Sequence, residues 1–231
     1  MKLGGWQKLT LLDFPEHTAC TVFTAGCNMR CPFCYNTPLV LGTEDCDAAG
    51  EEEFFAFLRK RAGLLDGVCV TGGEPTLQPE LYDFIGRVRS LGYKVKLDTN
   101  GTRPDVLERL ISDGMLDYAA MDIKSSKERY AEACGIPGFD ISPAERSVSL
   151  LREGRVRYEF RTTVSKELHD AGTMAAIGEW LRGADAYFIQ SYKDMEELVG
   201  GGHLTAFSPE ELGELLAVVK EYVPAARLRG V

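Results

Sequence analysis

Three cysteines stand close together in the run Gly26-Cys27-Asn28-Met29-Arg30-Cys31-Pro32-Phe33-Cys34-Tyr35-Asn36. The spacing is C-x3-C-x2-C. Three thiolates on one short loop can wrap three corners of a cubane iron–sulfur cluster. No fourth Cys follows in the loop. A three-thiolate site leaves one iron open to a further ligand, by the logic that leaves an open position on catalytic zinc. Two plainer readings stand beside this one. Three Cys could be core residues, although Asn, Arg and Pro between them read as a loop. A zinc site could be completed by a distant residue, but His17, His169 and His203 are the only histidines and none lies in a metal-ligand motif.

A second motif, Val70-Thr71-Gly72-Gly73-Glu74-Pro75, closes an apolar run. Glycines at a strand end let backbone approach a ligand closely, and backbone carbonyls with a carboxylate suit an ammonium group. Three later apolar runs end in, or carry, polar groups: Asp98-Thr99-Asn100-Gly101, then Asp122-Ile123-Lys124, then Arg161. Each also has a plain reading. Asn100-Gly101 is a turn signal, Asp122 and Lys124 could form a structural ion pair, and Arg161 could face solvent. Gln190 closes the last run in the same way. Cys20 and Cys69 lie in apolar runs and read as small core residues, whereas Cys46 and Cys134 lie in less regular segments. No second C-x2-C pair occurs, so no second cluster is expected.

These groups need a scaffold that brings them to one edge. Candidate strands run over 18–24, 67–71, 93–98, 118–123, 156–164 and 185–190. Several are near-continuous apolar runs, as expected of parallel strands covered on both faces. Between them, Leu81, Phe84, Ile85, Val88 and Leu91 make one helical stripe, and Leu212, Leu215, Leu216, Val219 and Val223 another. Ser208-Pro209-Glu210-Glu211 opens the latter with an N-cap Ser, an N1 Pro and an N3 Glu, and Ser142-Pro143-Ala144-Glu145 repeats the device. Alternating βα units imply a parallel sheet with right-handed crossovers. Six units are too few for an eight-stranded barrel. The expected class is α/β, an open partial (β/α)6 barrel with outer helices; a doubly wound sheet is the alternative. In both, functional groups gather at the C-terminal strand ends.

At 231 residues and 45% hydrophobic content the chain can bury one sizeable core. A single domain over 1–231 is expected, with a lead-in over 1–15, a core over about 16–193 and a C-terminal helix over about 208–223. Lys and Arg number 26 against 35 Asp and Glu, a net charge of −9. That balance disfavours non-specific nucleic-acid or membrane-surface binding. No stretch is apolar for long enough to span a bilayer, and Met1 to Trp6 carries no apolar signal core, so the cytoplasm is the expected location. In a reducing compartment, clustered Cys read as metal ligands rather than disulfides.

The Cys spacing with an aromatic before the third Cys, followed by Gly-Gly-Glu-Pro, resembles the radical S-adenosylmethionine (SAM) superfamily. The stretch from Gly4-Gly5-Trp6 through Leu11-Leu12-Asp13-Phe14-Pro15 to Cys34-Tyr35-Asn36 resembles the activating proteins of glycyl radical enzymes. Within these it is most similar to those of anaerobic ribonucleoside-triphosphate reductases. The resemblance covers roughly Gly4 to Tyr192 and implies a radical-SAM-type partial barrel. It implies a [4Fe–4S] cluster on Cys27, Cys31 and Cys34, whose open iron binds the amino and carboxylate groups of SAM. It implies reductive cleavage of SAM to a 5′-deoxyadenosyl radical that takes a hydrogen atom from a backbone Gly of a partner enzyme. By the same resemblance Phe33 packs near the adenine, and Tyr35 and Asn36 approach the nucleoside. Gly72, Gly73, Glu74 and Pro75 receive the methionyl amino group, with Thr99 on the same edge. Asp122, Lys124 and Arg161 match positions that contact the SAM carboxylate and ribose in pyruvate formate-lyase activating enzymes; Gln190 is placed by the adenine only by its position at the end of the sixth strand, not by the resemblance. Asp98 and Asp122 could hold a monovalent cation, and a flavodoxin- or ferredoxin-type electron donor is implied. Two other readings remain: a radical SAM enzyme acting on a small molecule, such as a 7-deazaguanine-type synthase, and a non-catalytic metal or cluster module.

Overall fold

The computed structural model describes residues 1–42, 50–193, 198–200 and 203–230. The chain opens with a strand the sequence did not reveal, β1 (Leu3–Thr10). The six expected strands follow: β2 (Ala19–Thr24), β3 (Gly67–Gly72), β4 (Lys94–Thr99), β5 (Tyr118–Asp122), β6 (Arg157–Val164) and β7 (Tyr187–Ser191). A short β8 (Arg227–Arg229) ends the described chain. All eight belong to one sheet in the order β1 to β8. Pairing is parallel from β2 to β8, and only β1 is antiparallel to its neighbour. The result is a (β/α)6 partial barrel extended by one strand at each edge.

The lead-in expected over 1–15 is therefore mostly strand. Its alternation is broken by Gly4-Gly5, where Gly5 takes φ +138° and the register with β2 shifts. β8 carries a single apolar residue between two arginines, too little pattern to read.

Helices α1 (Thr37–Leu41) and α2 (Glu51–Lys60) connect β2 to β3, α3 (Leu81–Ser90) precedes β4, and α4 (Pro104–Ser112) precedes β5. α5 (Tyr130–Ala133) and α6 (Ser142–Arg152) lead to β6, α7 (Ala171–Trp180) to β7, and α8 (Pro209–Lys220) to β8. α3 buries Leu81, Phe84, Ile85 and Val88 as its stripe requires. α8 starts with both hydrogen bonds of a capping box between Ser208 and Glu211. The matching expectation at Ser142 is corrected. Ile141 occupies the N-cap position, and the Asp140 carboxylate accepts from the Ser142 N–H at 3.0 Å and hydroxyl at 2.7 Å. Asp140 takes the Ser142 N–H that a capping-box Glu145 would accept, and the Glu145 N–H donates to the Ile141 carbonyl at 3.0 Å instead of to the Ser142 hydroxyl.

The outer face of the sheet packs on the helices through apolar residues such as Val68, Val70, Val95 and Leu97, all fully buried. The inner face differs. Lys96 on β4 and Glu159 on β6 are 1% and 0% exposed. The Glu159 carboxylate accepts two parallel bonds from Arg229 of β8, at 2.7 and 2.8 Å, and one from the Tyr118 hydroxyl at 3.0 Å. Lys96 Nζ donates to the Asp13 carbonyl at 2.5 Å and lies 3.5 Å from Glu159. Buried charges persist only when paired and hydrogen-bonded, and these are. Burial alone would raise the Glu159 pKa, but Arg229, Lys96 and Arg161 outweigh it and hold the carboxyl at about 2.

Candidate active site

The Cys loop leaves β2 and is fastened on three sides. Gly26 N–H donates to Leu39 C=O at 2.7 Å and Cys27 N–H to Val40 C=O at 3.3 Å, which ties the loop to α1. Arg30 N–H donates to Cys134 C=O at 2.9 Å, just past α5. A Cβ at Gly135 would stand 2.1 Å from Arg30 O, so this turn presses directly on the loop. Val199 N–H donates to Cys34 C=O at 2.9 Å.

Cys27, Cys31 and Cys34 are free thiols lining one cavity of about 520 Å³ at the C-terminal ends of the parallel strands. Burial pushes the Cys31 thiol up to about 12; Lys124 opposes the rise, and Cys27, Cys34 and Cys134 add to it. Burial also raises Cys27, against a hydrogen bond from the Met29 N–H. A cationic centre favours thiolates gathered around it, and a set of three thiols on one loop facing one cavity fits an iron–sulfur cluster. Among the described residues no three His, Cys, Asp or Glu side chains converge on a single metal ion. No His lines the cavity there either. His17 stacks on Phe14, His203 is exposed, and both ring nitrogens of His169 face backbone groups.

The glycine turn after β3 sits against the chain entering the Cys loop. Gly73 N–H donates to Thr24 C=O and Glu74 N–H to Gly26 C=O, both at 2.8 Å. Gly72 takes φ +122°, and a Cβ there would meet Thr24 N at 2.2 Å; one at Gly73 would meet Gly26 O at 2.1 Å. Ligand approach was the sequence rationale for these glycines, and the structure adds a second: only glycine lets the two turns touch. Both still line the cavity.

Glu74 lines the cavity too but is 1% exposed. Its Oε1 accepts from the Thr76 N–H and hydroxyl and from the Thr99 hydroxyl, at 3.0, 2.5 and 2.8 Å; its Oε2 accepts from the Asn100 N–H at 2.6 Å. The carboxylate thus pins β3 to β4, with burial raising its pKa against these donors. Pro75 begins a buried 3-10 turn (Pro75–Leu77) outside the cavity wall.

The charged strand ends form a row across the cavity. Arg161 of β6 donates through Nη1 to Asp98 Oδ2 at 3.0 Å and through Nε to Asp122 Oδ1 at 2.9 Å. Lys124 Nζ donates to Asp122 Oδ2 at 3.1 Å and stands 5.7 Å from the centre of the Phe33 ring. Burial acts to raise the Asp122 pKa, yet Arg161 and Lys124 prevail and hold it at about 2. Arg161 is 13% exposed and faces the cavity rather than bulk solvent. The Asp122–Lys124 ion pair exists and also faces the cavity. Thr99 and Gln190 contribute to the wall, with Asn36 and the 55%-exposed Tyr35 beside the thiols.

Several residues were missed or undervalued. Asn100 is more than a turn residue: its amide donates to Asn28 Oδ1 at 2.9 Å and approaches Cys27 Sγ at 3.9 Å. Lys96 and Glu159, charges inside apolar runs, were the available signal for the inner network. Cys20, Cys69 and Cys134 are buried, and Cys46 lies outside the described residues.

The family model described as Radical SAM superfamily matches residues 21–171. A protein of Methanocaldococcus jannaschii, named for a proposed role as a glycyl-radical enzyme activating enzyme, is 31% identical over 99% of this chain and 96% of its own length. A 7-carboxy-7-deazaguanine synthase of Koribacter versatilis is 30% identical over 62% of this chain and 59% of its own. A radical SAM methyltransferase from Sphaerobacter thermophilus superposes with a TM-score of 0.71 at 16% identity, covering 96% of this chain and 68% of that one, a likeness of fold alone. The cysteine loop, the glycine turn and the charged strand ends thus lie on a partial barrel that these comparisons assign to one family: the chain belongs to the radical SAM superfamily.

Proposed function

We propose that the chain is one radical SAM domain that installs a glycyl radical on a partner enzyme, with anaerobic ribonucleoside-triphosphate reductase the favoured target. The observation that carries the site is the opening of three thiols and the Asp98–Arg161–Asp122–Lys124 row onto one cavity. The choice of a protein substrate is supported by the 31% identity across nearly the whole of a relative named as an activating enzyme.

In this reading Cys27, Cys31 and Cys34 hold a [4Fe–4S] cluster. When bound, cluster and SAM supply one-electron cleavage of the sulfonium to methionine and a 5′-deoxyadenosyl radical, which takes the Gly α-hydrogen. The residues of this chain bind and orient. Lys124 and Arg161 offer cationic donors to the SAM carboxylate, and Asp122 accepts from ribose hydroxyls. Carbonyls of the Gly72-Gly73 turn, with Glu74 and Pro75 behind it, receive the amino group, and Thr99 fixes Glu74. Phe33 offers an apolar ring to the adenine, beside Tyr35, Asn36 and Gln190. A monovalent cation would share Asp98 and Asp122 with Arg161; Asp98 Oδ1 has no hydrogen-bond partner among the described residues but stands 3.6 Å from the Lys96 ammonium, which a cation there would have to displace. A flavodoxin- or ferredoxin-type donor supplies the electron, and the reaction belongs in the cytoplasm. No helix among the described residues is long and apolar enough to cross a membrane.

Electron-spin resonance tests this reading. Anaerobic incubation of the reduced, cluster-loaded protein with SAM and the candidate reductase should give a glycyl radical doublet on the reductase and one 5′-deoxyadenosine per radical. The partial match to 7-carboxy-7-deazaguanine synthases supports a second reading. Formation of a 7-deazaguanine-type product from a small molecule, without any protein partner, would establish it and displace the first.

A further inference from the structure

His169 belongs to no motif and does not line the cavity, yet it is 1% exposed. It ends the loop between β6 and α7, next to Asp170, whose carboxylate caps α7 by accepting from Thr173 N–H at 2.7 Å. The Ser165 N–H donates to His169 Nδ1 at 3.2 Å. Nδ1 therefore acts as acceptor, the ring proton sits on Nε2, and Nε2–H donates to the Lys124 carbonyl at 3.0 Å. One imidazole thus joins the backbone of the β6–α7 loop to the backbone of the β5–α5 loop at Lys124. Arg129 makes a parallel tie, donating to Glu167 C=O at 2.9 Å. The buried Ser125 hydroxyl, next to Lys124, has no hydrogen-bond partner among the described residues.

We propose that His169 is a positioning residue: by holding the Lys124 carbonyl it fixes where the Lys124 ammonium stands between Asp122 and the Phe33 ring, and so fixes a cationic contact for the SAM carboxylate. A Lys side chain has four rotatable bonds, and its charge is well placed only if its backbone is immobile. The short reach from Lys124 Nζ to Asp122 Oδ2, 3.1 Å, depends on the strand end keeping its present path. Burial lowers the His169 pKa, which keeps the ring neutral and leaves Nδ1 able to accept. His169 touches no reacting atom in this scheme, and its effect runs through Lys124. The inference rests on the proposed SAM-binding role of Lys124.

The test uses the cluster-loaded protein and reads SAM affinity by calorimetric titration, beside iron content. His169→Leu should weaken SAM binding about tenfold, because a buried carbonyl loses its donor, with iron content unchanged. His169→Gln, whose amide reaches the same carbonyl, should recover binding to within about twofold. In a Lys124→Ala background, His169→Leu should produce no further loss, as expected when one residue acts through the other. Where His169→Leu does not fold, His169→Asn replaces it, being polar but too short to reach Lys124 C=O. Unchanged affinity in His169→Leu or His169→Asn, or an equal loss with and without Lys124, overturns the proposal. A wild-type protein with a full cluster that binds no SAM overturns the site reading itself, and this inference with it. That failure is distinct because it appears before any substitution.

Discussion

Among single residues, Asn100 bears most directly on the thiols. Its amide reaches Asn28 Oδ1 and Cys27 Sγ, while its Oδ1 accepts from the Thr102 N–H at 3.0 Å and hydroxyl at 2.7 Å, which fixes the amide's direction. Hydrogen bonds to cluster sulfurs help set the reduction potential. Asn100→Ala should therefore make the midpoint potential more negative, read by spectroelectrochemical titration of the reconstituted protein. An unchanged or more positive potential would show that the amide does not act on Cys27. The Cys loop itself was legible because its spacing is local. The Asn100 contacts were not, since Asn28 lies 72 positions away and Asn-Gly looks alike in any turn. The role of His169 is not legible either, because nothing in the sequence shows that its two nitrogens meet backbone.

At the scale of elements, the β3 turn holds the site together by contact rather than by composition. Gly73→Ala places a methyl 2.1 Å from Gly26 O, so one of the two turns must shift. The expected cost is about 2 kcal/mol, seen as a lower thermal midpoint, and it should come with weaker cluster retention because Gly26 adjoins Cys27. Retention equal to wild type would show that the turns move independently. Glu74→Gln removes an acceptor from a site of four donors and sets an amide N–H against one of them. A loss of about 1–3 kcal/mol follows, near 5 °C in thermal midpoint for a chain of this size. The six parallel strands and the stripes of α3 and α8 could be read from periodicity, since each buries a continuous apolar surface. β1 and β8 could not: one is interrupted by Gly4-Gly5, and the other is three residues long and defined by its pairing with β7.

Across the whole molecule, a chain of net charge −9 keeps paired charges inside its barrel. Glu159 and Asp122 both have folded-state pKa values of about 2, below their ordinary values. Each therefore stabilises the fold fully above its unfolded pKa, near 4, and that stability is lost as pH falls toward 2. For the fully buried Glu159 the contribution is roughly 3 kcal/mol. Denaturant titrations monitored by near-ultraviolet circular dichroism should show stability falling steeply between pH 5 and 2. Glu159→Gln should be less stable at pH 7, because Arg229 and Lys96 lose their counter-charge, and its stability should fall less over the same acid range. A variant as acid-sensitive as wild type would remove Glu159 from that role. None of this inner pairing could be read from spacing, since Glu159 meets Lys96 and Arg229 only when the sheet curls. The most direct measurement on the molecule as a whole is chemical. The protein is reconstituted anaerobically with iron and sulfide, reduced with dithionite, given SAM, and assayed for 5′-deoxyadenosine beside Cys31→Ala and Cys134→Ala. Product from wild type and Cys134→Ala but none from Cys31→Ala is the expected result, with three loop thiols holding the cluster and the buried neighbour outside it. A fully loaded, reducible wild type that forms no 5′-deoxyadenosine, with or without a partner reductase present, or a Cys31→Ala variant that still forms it, would contradict the site described here.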